Sequence, residues 1–147
     1  MKWLYNKNKI NEIADLPQGT FGFIYQTTHV STGKKYIGKK SLMYNKKKKL
    51  TKKELLEYAG KKGRTPTHIR VQKESDWKTY HGSHHFIKEM LKTGGEDEFA
   101  REILEIAYNK KQLTYLECKY QFTLGVIESD EWLNDNILGK FFDRDFA

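Results

Sequence analysis

The hydrophobic positions of this chain fall into runs of two different periods, separated by glycines and polar turns. From Phe21 to Val30 the sequence is rich in aromatic and β-branched residues. Ser31-Thr32-Gly33 supplies turn chemistry, and Lys34–Lys40 returns with Tyr36 and Ile37. This pattern predicts a β-hairpin. Upstream, residues 6–15 read as a short helix ending before Pro17, and "LPQGTFG" reads as a turn entering the first strand. Downstream, "DEFAREILEIA" alternates enough to predict a third strand, with a helix as the other reading. "NKKQLTYLECKYQFTLG" places Leu113, Leu116, Tyr120 and Leu124 at helical spacing and stops at Gly125. Between them, Ser83 is placed to cap a helix whose apolar face is Phe86, Ile87, Met90 and Leu91, ended by Gly94-Gly95.

The stretch from 43 to 75 breaks this rhythm. "MYNKKKKL" is a charge run, and "TKKELLEYAG" has a capping box of Thr51 and Glu54 with Gly60 as its stop. "KKGRTPTHIRVQKES" has the composition of a loop. The region therefore reads as a Lys-rich insertion after the second strand, with one short helix and partial mobility when unbound. The tail carries Trp132, Leu133, Ile137, Phe141 and Phe142, enough apolar surface to dock on a core. No internal repeat or linker interrupts the chain, so residues 1–147 read as a single domain.

Charge changes the picture more than composition does. The chain of 147 residues has a formal net charge of +8, with 27 Lys/Arg against 19 Asp/Glu. From Lys34 to Lys73 there are 15 Lys/Arg and only Glu54 and Glu57 in opposition. A basic stretch this concentrated points to a polyanion, nucleic acid first. Cys118 is the single cysteine, which leaves no intrachain disulfide and no zinc-finger spacing. No apolar run approaches the ~20 residues of a membrane span, and the first residues lack the apolar core of a secretion signal. A cytoplasmic protein with no membrane partner is the expectation.

Tyr25 and Tyr36 lie on the two strands of the predicted hairpin, amid Lys34, Lys35, Lys39 and Lys40. An ammonium beside a phenol favours the phenolate, so these lysines are expected to lower one tyrosine's pKa and prepare it to take a proton from water. "FIY" (Phe23-Ile24-Tyr25) and "YIG" (Tyr36-Ile37-Gly38), at this spacing, resemble the GIY-YIG nuclease signature. Gly22 stands one place early, and Phe23 takes the first glycine's slot. "GGEDEFAREILEIA" is similar to the family's third-strand stretch, and "LTYLECKYQF" to the helix that carries its metal-binding glutamate, here Glu117. Asn134-Asp135-Asn136 lies where the family places a late asparagine. The resemblance runs from Phe21 to about Ile137. It implies a small α/β (α+β) fold whose central three-stranded antiparallel sheet is flanked by helices. It also implies phosphodiester cleavage with one divalent metal on the glutamate, a tyrosine activating water and an arginine supporting the phosphate. Stand-alone phage-encoded and mobile-element nucleases are the forms it is similar to, which would place it in a host cytoplasm.

Elementary chemistry agrees with those roles. Phosphodiester hydrolysis needs an in-line water, charge at the phosphoryl oxygens and help for the leaving oxygen. Glu117 is a hard oxygen ligand suited to Mg²⁺ or Mn²⁺. Tyr25 and Tyr36 are the candidate bases, with the choice between them open, and Asn136, with Asn134 as its substitute, would orient the site. Where the family has its arginine this chain has only lysines, Lys46 nearest; Arg64 or Arg70 from the insertion is the alternative. Lys34, Lys35, Lys39, Lys40, Lys47, Lys48, Arg64 and Arg70 are the candidate nucleic-acid contacts, with double-stranded DNA the expected partner. His81 and His85 are at a spacing that can share a helix face, but without a third ligand they read as loop and cap residues. Trp77 and Tyr80 read as loop anchors or stacking platforms. Cys118 reads as an inert packed thiol. The expectation is a metal-dependent DNA endonuclease. The alternatives are a nucleic-acid-binding module on the same fold that has lost cleavage, and a partner-binding protein whose basic loop meets an acidic protein.

Overall fold

The computed structural model describes residues 2–61 and 63–146. In chain order these form strands β1 (Trp3–Tyr5), β2 (Asn8–Ile10), β3 (Gly22–His29), β4 (Lys35–Ser41) and β5 (Met43–Lys49), then helix α1 (Lys52–Leu56) and β6 (His68–Glu74). There follow α2 (His85–Lys92), β7 (Phe99–Ala107), α3 (Lys110–Leu124), β8 (Asn136–Ile137) and β9 (Phe141–Phe142). The chain divides into two compact units, one made of 1–42 with 76–147 and the other of 43–75.

The larger unit is built on a mixed sheet of five strands among the described residues, in the order β2-β1-β7-β3-β4. This corrects the expected three-stranded antiparallel sheet. β3, β4 and β7 do pair antiparallel, but β1 adds to β7 in parallel and β2 extends it further. The expected helix over 6–15 is replaced by the β1–β2 hairpin and a 3₁₀ turn at Ile13–Asp15. Asn6 and Lys7 both take positive φ, 48° and 66°. That is the two-residue turn whose twist matches a hairpin, and Asn tolerates it well.

Each sheet face carries its own core. On one face Trp3, Phe23, Tyr25, Trp77, Phe99 and Ile87 are buried, with Trp3, Phe23 and Tyr25 meeting edge to face at 5.0–6.4 Å between ring centroids. On the other, Ile24, Ile37, Ala107, Leu113, Val126, Ile127 and Ile137 form a continuous cluster, with Leu116 and Tyr120 of α3 packed against it. α3 begins at Asn109, whose side chain accepts from the Gln112 N–H, and ends at Gly125 in the left-handed conformation. Leu124 leaves the expected stripe and is exposed, while Gln121 is buried in its place. The cap of α2 is His84, which accepts from the Phe86 N–H, rather than Ser83.

The smaller unit differs from the expected loop with one short helix. The capping box at Thr51 and Glu54 and helix α1 are present, but "MYNKKKK" and "HIRVQKE" pair as antiparallel strands β5 and β6 over seven register pairs. Ile69 and Val71 are half-buried between exposed neighbours, a period of two that lysine-rich composition concealed. Among the described residues no helix is long and apolar enough to cross a membrane.

Candidate active site

The hairpin register decides how the two tyrosines meet. Tyr25 lies opposite Gly38 and Thr27 opposite Tyr36, so Tyr25 and Tyr36 are diagonal neighbours on one sheet face. Their ring centroids are 6.3 Å apart. A shift in the β3–β7 register between Ile24 and Tyr25 marks a bulge beside the first phenol, the usual device for re-aiming a side chain. Gly38 is what lets the Tyr25 ring lie across β4: a Cβ there would stand 2.4 Å from the Tyr25 hydroxyl.

Both phenols are held protonated. Burial pushes Tyr25 well above the usual tyrosine range, and Tyr80, Tyr36 and Glu117 push the same way. Tyr80 also hydrogen-bonds Tyr25 and stands edge-on to it at 5.9 Å. Tyr36, half-buried, is raised by burial, partly offset by the hydroxyl of Ser83 at 2.8 Å, with Tyr80, Glu117 and Asp135 adding to the rise. The expected lowering by lysines is not what the structure has, because the lysines are engaged elsewhere. Lys39 Nζ lies 3.1 Å from Thr114 and 3.8 Å from Glu117. Lys40 lies 2.5 Å from Asp76 and 4.0 Å above the Tyr80 ring. Lys35 sits 5.4 Å over Trp132, and Lys34 is exposed at the turn.

Glu117 projects from α3 with burial raising its pKa against the opposing pull of Lys39. Tyr36 and Glu117 line one open cleft of about 610 Å³, together with Ser83, His84, Asn134 and Asn136. Tyr25 is buried and does not line this cleft itself. A second hollow, between Ile127 and Phe146, contains Glu128, Asp130 and Asp143; it shares Asn134 with the cleft but contains neither tyrosine nor Glu117.

A family model described as "Putative endonuclease segE, GIY-YIG domain" matches residues 3–137. The chain belongs to the GIY-YIG family. No curated protein and no solved structure matches it at a significant level. The family match spans β1 to β8, and so takes in both tyrosines, Glu117 and the late asparagines. By family this GIY-YIG domain is a nuclease, a hydrolase acting on phosphodiester bonds, and such nucleases are generally dependent on a divalent metal.

The donors present suit a hard dication. Glu117 offers one carboxylate whose ion pair is long, in a cleft roomy enough to leave several waters on an ion. His84, His85 and Asp135 also offer ligand atoms within 4.8 Å of one another. His84 is already committed, however: Nδ1 accepts from Phe86 N–H, so Nε2 carries the proton and gives it to Asp135 at 3.2 Å. This is a hydrogen-bonded dyad facing the cleft, one ring width (6.2 Å between centroids) from Tyr36. His81 is a loop residue, buried, bonded to the Thr79 carbonyl and packed by Phe99.

Of the two asparagines, the buried one is Asn134. Its Oδ1 accepts from Ile37 N–H at 3.0 Å and its Nδ2 donates to Ile37 O at 2.9 Å. Asn136 is exposed and accepts from Gly139 N–H. Lys46, Lys47, Lys48, Arg64 and Arg70 all belong to the smaller unit and are exposed. Sequence reasoning missed Ser83, the His84–Asp135 dyad and Arg101. Buried Arg101 stacks 4.5 Å over Trp3 and donates to the carbonyls of Lys78 and Tyr80, pinning the segment that delivers Tyr80. Burial lowers its pKa to about 10. A periodic strand pattern announces such residues only as alternating positions, and their partners lie 20 or more residues away.

Proposed function

We propose that the domain is a metal-dependent endonuclease that hydrolyses phosphodiester bonds in double-stranded DNA, with the Tyr25–Tyr36 pair supplying the base and Glu117 holding Mg²⁺ or Mn²⁺. The observation that carries this reading is the convergence of the two phenols on one sheet face with Glu117 close enough to raise both of their pKa values. Burial is the largest cause of both shifts, and the Glu117 carboxylate adds to each, so the three groups share one electrostatic site. A dication on Glu117 would supply positive charge to the phosphoryl and leaving oxygens and cancel the carboxylate's own addition to the raised phenol pKa values.

The chain's own residues do the rest. Ser83 fixes the Tyr36 hydroxyl, and Tyr80 fixes that of Tyr25. Asn134, rather than Asn136, orients the cleft through the Ile37 peptide. Lys39 and Lys40 exchange their carboxylate partners for phosphate when DNA enters. Lys46, Arg64 and Arg70 remain the candidates for the role the family gives to an arginine. Such an enzyme would work in the cytoplasm, where DNA is accessible.

The test uses supercoiled plasmid with Mg²⁺ or EDTA. The wild type nicks in Mg²⁺ alone, and Glu117→Ala and Tyr25→Phe do not nick but still shift DNA in a low-salt gel. A binding module that has lost cleavage is the second reading, favoured by one observation: no arginine lines the cleft among the described residues. Salt-sensitive binding by a clean wild type that never nicks any DNA form would decide for it.

A further inference from the structure

In an antiparallel pair, residues two apart on one strand and their direct partners on the other share a face. The register of β5 and β6 puts Asn45 opposite Gln72, Lys47 opposite Arg70 and Lys49 opposite His68, all on one face. Every one of these six side chains is exposed. The other face carries Ile69 and Val71, both half-buried, flanked by Tyr44, Lys46, Lys48 and Lys73. Half-buried Met43 and exposed Glu74 close the first face at one end, and from Asn45 to Lys49 it is wholly polar, with side chains of a particular kind.

They are the kind that read base edges. Asn and Gln pair in bidentate fashion with adenine N6 and N7, and Arg and Lys with guanine O6 and N7. A solvated strand face needs only charge, and carboxylates or serines would serve as well. Here the amides sit together at one rung and the cations at the next. The ribbon is seven residues long, ~23 Å at strand rise, and two strands wide, dimensions that the ~12 Å major groove of B-DNA admits. The unit that contains it, 43–75, has 11 Lys/Arg and three Glu, a formal +8 that equals the net charge of the whole chain.

We infer that the β5–β6 ribbon is a sequence-reading element that lays its Asn45/Gln72 and Lys47/Arg70 face into the major groove of double-stranded DNA. The inference rests on the reading of the domain as a DNA endonuclease, and it gives that enzyme a source of target preference. Lys46, Lys48 and Lys73 on the opposite face have no base edges before them and add sequence-independent attraction to phosphates. The major groove of duplex RNA is too narrow and deep to receive such a ribbon, so the surface selects DNA.

The experiment is a binding selection with the full chain in EDTA, so that no cleavage is required. Short duplexes of random sequence are retained by the protein, amplified and sequenced. The wild type enriches a motif of roughly seven base pairs, the length a ~23 Å ribbon covers at 3.4 Å per step. Asn45→Ala with Gln72→Ala erases the preference at the positions the amides read while unselected DNA is bound within about twofold of wild type, and Arg70→Ala separately erases it at the adjacent position. Lys46→Ala with Lys48→Ala weakens binding to all sequences and reduces the salt dependence by about one unit of slope per lysine. A second measurement needs no variant: 7-deazaguanine in the enriched duplex removes the N7 acceptor and weakens wild-type binding by about five- to a hundredfold. The inference is overturned by a wild type that enriches no motif, by a motif unchanged in the polar-face variants, or by equal affinity for duplex RNA. A protein that selects a motif but never nicks keeps the ribbon and loses the nuclease. One that nicks without any motif does the reverse.

Discussion

The two units of this protein are stabilised in opposite ways. The larger one, 1–42 with 76–147, holds 16 basic and 16 acidic residues and is formally neutral. It buries aromatic and aliphatic cores on both faces of its sheet. The smaller one carries +8 within 33 residues, and Leu50 is its one buried hydrophobic residue among those described. An isolated two-stranded ribbon is marginal in water, and crowded like charges destabilise it further. The comparison separates two jobs. A site that tunes proton affinities needs fixed distances and low dielectric, which only a core provides. A surface that captures a polyanion needs charge and reach, and gains stability when the polyanion arrives.

The sharpest way to break this comparison is Glu117→Gln. Cleavage falls by on the order of 10³-fold, while DNA binding by a gel shift is unchanged. The apo fold moves in the other direction. Burial raises the Glu117 pKa, so the charged form costs stability once pH exceeds the ordinary carboxylate range. Glu117→Gln therefore melts at a higher temperature than wild type near neutral pH, and the gap closes as pH falls through that range. A variant that melts lower at every pH would show that the carboxylate is structural.

Next in size is Gly38→Ala. The added methyl meets the buried Tyr25 ring and costs about 1–3 kcal/mol in chemical denaturation, as overpacking does. In a Tyr25→Leu background the cost shrinks, because the two side chains no longer compete for one space. Additive effects would show that the phenol does not lie over β4.

The phenols themselves can be followed at alkaline pH by ultraviolet absorbance. Both are raised above the usual value, so stability is fully present below pH ~10 and is lost as pH climbs toward their folded-state pKa values. Tyr25→Phe blunts that alkaline loss. Adding Mg²⁺ brings one phenol's titration down in the wild type and leaves it unmoved in Glu117→Gln. The variant, Tyr25→Phe or Tyr36→Phe, that removes the down-shifted titration identifies the base.

The smallest effect belongs to the ribbon. Amides of β5 and β6 exchange with deuterium faster than those of β3 and β7, and moderate sulfate slows them by screening lysine repulsion. Equal protection in the two sheets would abolish the contrast drawn above.

Much of the larger unit was legible because its signals are local. A turn at Ser31–Gly33, the helical spacing of Leu113, Leu116 and Tyr120 and a Gly125 stop each act within a few residues, and the β3–β4 hairpin and α3 follow from them. The β1–β2 hairpin was not legible, since "YNKNKI" is as polar as a helix start and its pairing with β7 spans nearly a hundred residues. The lysine run hid β5 because strand composition is judged by β-branched residues, and those sit on its partner, at Ile69 and Val71. In the site, the adjacency of the tyrosines followed from strand pairing alone. Their protonation did not, because proximity in sequence to Lys39 and Lys40 says nothing about the Glu117 and Asp76 carboxylates that claim those ammonium groups. Asn136 drew the eye over Asn134 by position, and only the fold shows which amide points inward.

Asn134 has a consequence of its own. By bonding both the N–H and the C=O of Ile37, its carboxamide stands in for one more peptide unit, continuing along β4 the parallel bridge that Trp132 makes to Lys35. Aspartate, the same shape with no N–H to give, would set an anion against the Ile37 carbonyl. Loss of a single ammonia at that position would therefore unlatch the far wall of the cleft.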